Sequence, residues 1–399
     1  MLANKTVVLG VTGSIAAYKA ADIASKLTQA GARVEVVMTD SATRFITSLT
    51  LRSITGRPVV TSMWETASEF SIEHVALAEA ADVVVIAPAT ANIIAHLAGG
   101  MADDMLTCTV LATKAPVIIA PAMNDNMFNN PVTQENIEKI KARGFVFVAP
   151  GYGHLASGKT GVGRLADTET VIGTIKQVLG RNGDLMDRHI VVTAGGTREP
   201  VDPVRYIGNR SSGRMGYAIA SAARDRGAEV KLITTVTCLP ETVGIDVVAV
   251  DAADEMEQAV KAAVKDADAL IMAAAVADYR PKTAAKDKIK KDSASLSIEL
   301  AKTPDILAGA EGDFIKVGFA AESEDIIANA QKKLKEKGLD LIIANDITAR
   351  ECGFGADTNK VAIIDKNGRV EDLPLMSKRE VADKILDRVV VLIKEVRRR

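Results

Sequence analysis

The sequence predicts an α/β fold of two doubly wound, Rossmann-like domains with mainly parallel sheets. Three observations carry this prediction. Short apolar runs alternate with stretches of helical spacing, the rhythm of β-α-β units whose strands are covered on both faces. The same plan restarts midway along the chain, at "HIVVTAGGT". The chain has 399 residues, more than one ordinary core accommodates.

The elements follow in order. "TVVLGVT" is a continuous apolar strand, "SIAAYKAADIASKLTQAG" has helical spacing with a glycine stop, and "ARVEVVMT" is a second strand. "HVALAEA" then "ADVVVIAPAT", and "ANIIAHLAGG" through "TVLAT" then "APVIIAPAMN", repeat the helix-to-strand alternation. In the second half "HIVVTAGGT" is a strand with a glycine loop, "SSGRMGYAIASAARDRG" a helix and "AEVKLITT" a strand. "GARVEVVMT" at 31–39 has a counterpart in "GAEVKLITT" at 227–235, and "EAADVVVIAPAT" at 79–90 echoes "KDADALIMAAAVAD" at 265–278. The seam is "GRNGDLMD", residues 180–187, polar and glycine-containing between a helix and a new strand. The expected domains are therefore 1–180 and 187–399.

Composition narrows the function. Hydrophobic residues make up 48% and charged ones 25%, a globular balance. A formal charge of −2 gives no electrostatic reason to expect nucleic acid or an anionic membrane as partner, which favours small molecules. Cys108, Cys238 and Cys352 make no metal-ligand pair, and an odd count of 3 argues against a disulfide framework. A reducing cytoplasm fits. No apolar run approaches the roughly 18 residues of a membrane helix, and "MLANKTVVLGVTGS" lacks the features of a signal peptide.

In open parallel sheets, ligands bind beyond the carboxyl ends of the strands. In the first half, Gly13 and Ser14 of "GVTGSIAAYKA" lie between strand and helix, where amides and a hydroxyl can receive a phosphate. One helix end contributes only about 0.3–1 kcal/mol toward an anion. Thr39 and Ser41 in "MTDSAT" are further candidates, with capping as the alternative. His74 shares helical spacing with Phe70, Leu77 and Ala81, so it reads as a core histidine or as an acid/base group. Asn124 in "MNDNMFNN" reads as a turn residue or a ligand-gripping amide.

"GHLASGKT" at 153–160 fits the phosphate-loop pattern, but "GVG" follows it where that loop requires a helix start. The stretch reads instead as a flexible, glycine-rich lid.

In the second half, the long loop "VTAGGTREPVDPVRYIGNRSSGRMGYAIA" leads into a helix with serines at its mouth. Ser211, Ser212 and Gly213 offer capping and free amides, and Arg205 and Arg210 offer fixed charge. The lysines of "YRPKTAAKDKIKK" and "QKKLKEKG" read equally as solvated surface or anion contacts. Asp278, at an expected strand end, is a candidate for ribose or metal. Cys352 beside "GFG" reads as a buried or incidental thiol.

"GSIAAYK", His74, "PATAN" at 88–92 and "PAMNDNMF" at 121–128 together resemble the homo-oligomeric flavin-containing cysteine decarboxylases. The resemblance implies FMN, held by Gly13, Ser14, Ile15, Thr39, Thr90 and Asn92. It also implies His74 as acid/base group, Asn124 as grip on the substrate carboxylate, and Met127 beside it. "GHLASGKT" corresponds to that family's substrate clamp, with Ser157 where some relatives have a proton-donating cysteine. An alkanol is a far poorer acid than a thiol, so the proton donor stays open.

"AGGTREPVDPVRYIGNRSSGRMG", "AAAVADYRP", "KIKK", "TPDI", "VGFAAES", "KLKEKGLDLIIAND" and "GFGADTN" resemble the phosphopantothenate:cysteine ligases. The resemblance implies CTP as co-substrate with Mg2+, whose ligands the sequence does not identify. It implies Asn209 near an acyl-cytidylate, Lys288 as a catalytic cation, and Arg205 and Arg210 on substrate. The implied nucleotide site comprises Met272, Ala273, Ala274, Asp278, Lys288, the run Pro304, Asp305, Ile306 and Leu307, then Phe319, Lys333 and Lys337.

The tandem resembles the bifunctional enzymes of prokaryotic coenzyme A biosynthesis. That implies 4'-phosphopantothenate, cysteine and CTP as small-molecule partners, and a dodecamer of flavin-domain trimers and ligase-domain dimers. A non-enzymatic flavin-domain regulator and a flavin enzyme acting on a peptide's terminal cysteine are the rival readings. His74, Asn124 and the attached ligase-like half count against them.

Overall fold

The structure, a computed structural model, describes residues 2–64, 73–236, 238–239, 242–290, 296–322, 325–346 and 356–396. It divides into two compact units, Met1–Gly180 and Arg181–Arg399.

The first unit holds β1 (Thr6–Val11), β2 (Arg33–Met38), β3 (Val59–Val60), β4 (Val83–Ala89), β5 (Val117–Pro121) and β6 (Val146–Phe147). They form one sheet in the order β3-β2-β1-β4-β5-β6, with every pairing parallel. The apolar runs are continuous because both faces are buried. Val7, Leu9 and Val11 enter the core beneath helix Lys19–Gln29, which contributes Ile23 and Leu27. Val8 points the other way, into the core shared with Ile93, Ile94 and Leu97 of helix Ala91–Gly99.

The second unit repeats the plan with β7 (His189–Ala194), β8 (Glu229–Thr234), β9 (Asp246–Ala249), β10 (Ala269–Met272), β11 (Ile315–Glu322) and β12 (Leu341–Asp346). Antiparallel β13 (Val361–Asp365) and β14 (Val370–Asp372) extend one edge, giving the order β9-β8-β7-β10-β11-β12-β13-β14. The two echoes noted in the sequence, at 31–39/227–235 and 79–90/265–278, become β2/β8 and β4/β10. These flank the first strand of each unit on opposite sides. Strand order therefore reverses direction between β1 and β4 and between β7 and β10, where doubly wound sheets leave a ligand crevice.

The structure refines four readings. The segment at 153–160 is ordered as a β-hairpin, with strands Gly151–His154 and Thr160–Arg164 antiparallel. Its turn is closed by Leu155 N donating to Lys159 O at 2.8 Å and Gly158 N to Leu155 O at 2.9 Å. Gly163 lies at φ +142°, and a Cβ there would meet Met123 O at 2.2 Å, so glycine permits close docking rather than looseness. The long loop after β7 contains a second hairpin, Arg198–Pro200 with Tyr206–Gly208.

Asp278 is not at the strand end, since β10 stops at Met272; its carbonyl accepts from Thr303 N at 3.0 Å. The polar seam packs against the second unit. Leu185 is 1% exposed within the second unit's core, and a Cβ on Gly183 would come 2.3 Å from Arg226 O. Residues 181–186 thus belong with the second unit.

Cys108 is half-buried, its Sγ directed at Ala102 O at 3.4 Å, and Cys238 is exposed. Cys352 and Phe70 lie outside the described residues. Among the described residues, no helix is long and apolar enough to cross a membrane.

Candidate active sites

A cavity of ≈ 460 Å³ opens at the β1/β4 crevice of the first unit. Gly13, Ser14, Ile15, Thr90, Asn124, Met127 and Ser157 all line it. Residues far apart in the chain meet here because β1, β4 and β5 end on one edge and the hairpin folds back over them.

Gly13 is required by packing, since a Cβ there would lie 2.5 Å from the Cβ of Ser41. Ser14 caps the turn Ile15–Tyr18, accepting from Ala16 N at 3.3 Å. Thr90 caps helix Ala91–Gly99, accepting from Ile93 N at 3.3 Å. Asn124 Oδ1 accepts from Asn126 N at 3.0 Å, while its Nδ2 donates to Ser157 Oγ at 3.2 Å.

Four candidate residues, Thr39, Ser41, Asn92 and His74, are not among the cavity's lining, and Ser41 is exposed. Thr39 caps Asp40–Thr43, accepting from Ala42 N at 3.3 Å, which is the capping role weighed for it. Asn92 is exposed on helix Ala91–Gly99, and His74 is half-buried on helix Glu73–Ala80.

Pattern reading missed Thr12 and Lys19. Thr12 is 2% exposed. It donates to Pro88 O at 2.7 Å and accepts from Thr90 N at 3.1 Å, which locks the end of β1 to that of β4. Lys19 lines the cavity, and burial together with neighbouring Arg164 pushes its ammonium pKa down, against an opposing pull from Asp167.

These residues fit FMN. The cavity volume suits a small-molecule site, Ser14 and Thr90 both line it, and exposed Ile15 and Tyr18 supply apolar surface at its rim.

The second unit carries a larger cavity of ≈ 970 Å³ at the β7/β10 crevice. It gathers Asn209, Arg210, Met272, Ala273, Ala274, Asp278, Pro304, Asp305, Ile306, Leu307, Phe319, Lys333 and Lys337. Asn209 Nδ2 donates to Val276 O at 3.0 Å, which fixes the amide at the mouth. Gly213, at φ +72°, opens helix Arg214–Arg224 toward the cavity. Lys337 pairs with Asp305 at 2.9 Å. Burial pushes the Asp305 carboxyl pKa up, but the bonds from Lys337 and Ala308 N outweigh it and hold it low.

Arg205 and Lys288 are absent from this lining. Arg205 Nη2 donates to Asp202 at 2.6 Å and to Ile289 O at 2.6 Å, so in this chain it braces the lysine-bearing strap, residues 282–290. Lys288 is exposed on that strap. Asp202 is the missed residue that anchors it. Burial raises the carboxyl pKa, yet amides of Val204, Ile289 and Arg205 and the Arg205 side chain bring it down to about 2. Thr193 and Thr197 repeat the role of Thr12, accepting from Ala274 N at 3.1 Å and Ala277 N at 2.9 Å. Among the described residues no group of three or more His, Cys, Asp or Glu is placed to hold a metal ion.

Such a crevice in each unit defines the class: two doubly wound α/β domains, each with a small-molecule cavity where its strand order reverses. Residues 1–180 match the family described as Flavoprotein, and residues 185–392 match the DNA/pantothenate metabolism flavoprotein C-terminal domain. The chain belongs to the family of bifunctional coenzyme A biosynthesis proteins. It is 44% identical over 401 residues to the coenzyme A biosynthesis bifunctional protein CoaBC of Bacillus subtilis (strain 168), covering 99% of each chain. It is 42% identical over 406 residues to the protein of the same description from Escherichia coli (strain K12), covering 100% of each. It is also similar, at 38% identity and a TM-score of 0.46, to the crystal structure of the C-terminal domain of a CoaBC protein, covering 53% of this chain and 99% of that one.

Proposed function

We propose that the second unit joins 4'-phosphopantothenate to cysteine with CTP, and that the first decarboxylates the product to 4'-phosphopantetheine. The observation that carries this is the pair of crevices. One is small and apolar with hydroxyls and an amide; the other is large, lined by several lysines and floored by a helix start.

In the first unit, Ser14, Thr90 and the amides of Gly13 and Ile15 would hold the FMN phosphate, the Ser14 amide being bonded to Thr12 O at 2.8 Å. FMN supplies the electron sink that a simple cysteine carboxylate lacks. Asn124 holds the substrate carboxylate, Met127 packs beside it, and Ser157 closes from the hairpin while excluding water. His74 serves as acid/base group from a neighbouring copy, in keeping with its position outside this chain's own lining and with the exposed Ile15 and Tyr18 at the rim. Thr39 and Asn92 complete the FMN contacts in this reading. Trimers of this unit and dimers of the second would build the dodecamer.

In the second unit, Met272–Ala274, Asp278, Pro304–Leu307, Phe319, Lys333 and Lys337 receive CTP. Mg2+ would accompany the triphosphate and offset its charge. The substrate carboxylate attacks the α-phosphorus and pyrophosphate departs; the cysteine amine then displaces CMP. Asn209 faces the acyl group, Arg210 the substrate phosphate, and Lys288 swings in on its strap to offset charge on the trigonal carbonyl. A cytoplasmic location goes with these substrates.

Separating the units after Gly180 tests the reading. The first piece is expected to be yellow and to evolve carbon dioxide from phosphopantothenoylcysteine, and the second to release pyrophosphate with CTP. A folded, assembled first piece supplied with FMN that evolves no carbon dioxide would reject the decarboxylase assignment.

A further inference from the structure

The larger cavity contains two amides whose acceptors are unmet. Asn345 and Asn359 both line it, and the Oδ1 of each is buried with no hydrogen-bond partner among the described residues. Asn359 is 4% exposed, with its Nδ2 directed at Met215 Sδ, 3.8 Å away. Buried carbonyl oxygens almost always have a donor, so two beside one cavity call for a ligand that brings two. Lys378, 7% exposed, lines the same cavity, its ammonium held by the carbonyls of Ala356 and Thr358.

The sheet separates this cluster from most of the proposed nucleotide contacts. Leu341 and Ile343 point into the core that Met215 packs against, while Ile342 and Ala344 point into the core that contains Ile306, Leu307 and Leu334. Side chains alternate along a strand, so Asn345 belongs to the Ile343 face. The run Pro304–Leu307 and the helix Ile326–Glu336, which carries Lys333 and is followed by Lys337, pack on the opposite face.

We propose that Asn345, Asn359 and Lys378 form the seat of the amino-acid substrate. The two amide oxygens take the two N–H bonds of its neutral amine, and the Lys378 ammonium faces its carboxylate. This rests on the ligase reading above and names the cysteine site within it. Holding both N–H bonds leaves the nitrogen lone pair as the free direction, which is what attack on an acyl carbon requires. The N–C bond forms as the C–O bond to the cytidylyl phosphate breaks. CMP carries off that electron pair, and the surplus nitrogen proton passes to water because an amide oxygen is no base at neutral pH.

The test uses full-length Asn345→Leu, Asn359→Leu and Lys378→Met, measuring KM for cysteine, KM for CTP and the pyrophosphate burst without cysteine. The amide variants are expected to raise the cysteine KM roughly tenfold or more with CTP KM and burst unchanged. Lys378→Met is expected to narrow the preference for cysteine over cysteamine, which has the amine but no carboxylate. Asn345 is less buried than Asn359, so Asn345→Leu carries the test if Asn359→Leu does not fold. A rise in CTP KM instead would assign the amides to the base's exocyclic amine and overturn the proposal, as would an unchanged cysteine KM. A wild-type chain that gives no burst would overturn the ligase reading itself.

Discussion

Asn124 Nδ2 donates to Ser157 Oγ at 3.2 Å, tying the start of the short helix Asp125–Phe128 to the hairpin that covers the smaller cavity. The residue proposed to grip the substrate carboxylate is therefore coupled to the lid.

Removing the hydroxyl breaks this link. Ser157→Ala is expected to slow formation of saturated product roughly a hundredfold, while one equivalent of carbon dioxide per flavin is still released in the first turnover and leaves reduced flavin with a product lighter by two hydrogens. Ser157→Cys places a better acid there and is expected to restore or exceed wild-type turnover. Mass spectrometry of the product decides; saturated product from Ser157→Ala at the wild-type rate would show that Ser157 takes no part.

Gly163 is fixed by its left-handed backbone and its contact with Met123 O. Gly163→Ala is expected to destabilise the first unit by about 1–3 kcal/mol from backbone strain. It also lifts the hairpin, so bound flavin falls. Calorimetry and absorbance near 450 nm, a typical flavin band at about that wavelength, read both effects. Unaltered melting would mean that the hairpin docks differently.

Asp202, with its pKa held at about 2 against an ordinary 3.8, gives a pH dependence of definite sign. A carboxyl depressed on folding stabilises fully above its unfolded pKa, and that contribution is lost as pH falls through the folded value. The stability gap between wild type and Asp202→Asn should therefore be constant above about pH 5 and close as pH approaches about 2. At neutral pH, Asp202→Asn loosens the strap bearing Lys288 and is expected to slow ligation at least tenfold, by analogy with misplaced catalytic groups. Decarboxylation of supplied phosphopantothenoylcysteine should not change. Equal loss of both activities would rule out a positioning role.

Leu185 sets the true start of the second unit. Leu185→Ala removes a fully buried side chain and is expected to cost about 2–5 kcal/mol. Only the second unit's thermal transition should drop. A truncated chain beginning at Asp187 should melt earlier than one beginning at Arg181, and equal melting would return Leu185 to the linker.

Much of the fold was legible because β1, β4, β7 and β10 are short, mostly apolar runs, which a sheet covered on both faces accepts. The hairpin at 151–164 was not, because its glycines suggest looseness when considered singly. Only the nearby Met123 carbonyl reveals that Gly163 is glycine for lack of room. Arg205 was legible as a fixed charge, but its partners Asp202 and Ile289 depend on how the strap folds back.

By itself the sequence determined the two-unit α/β plan, the family and most of the residues around each crevice, since these follow from local periodicity and short contiguous motifs. Tertiary structure decided which of them converge. It brought Gly13, Thr90, Asn124 and Ser157 to one rim, left His74, Thr39 and Asn92 off that rim, and buried Asn345 and Asn359 beneath the other cavity. The physical reason is that a hydrogen bond or a buried acceptor is a relation between distant segments, and its presence or absence exists only once the sheet has set their separation.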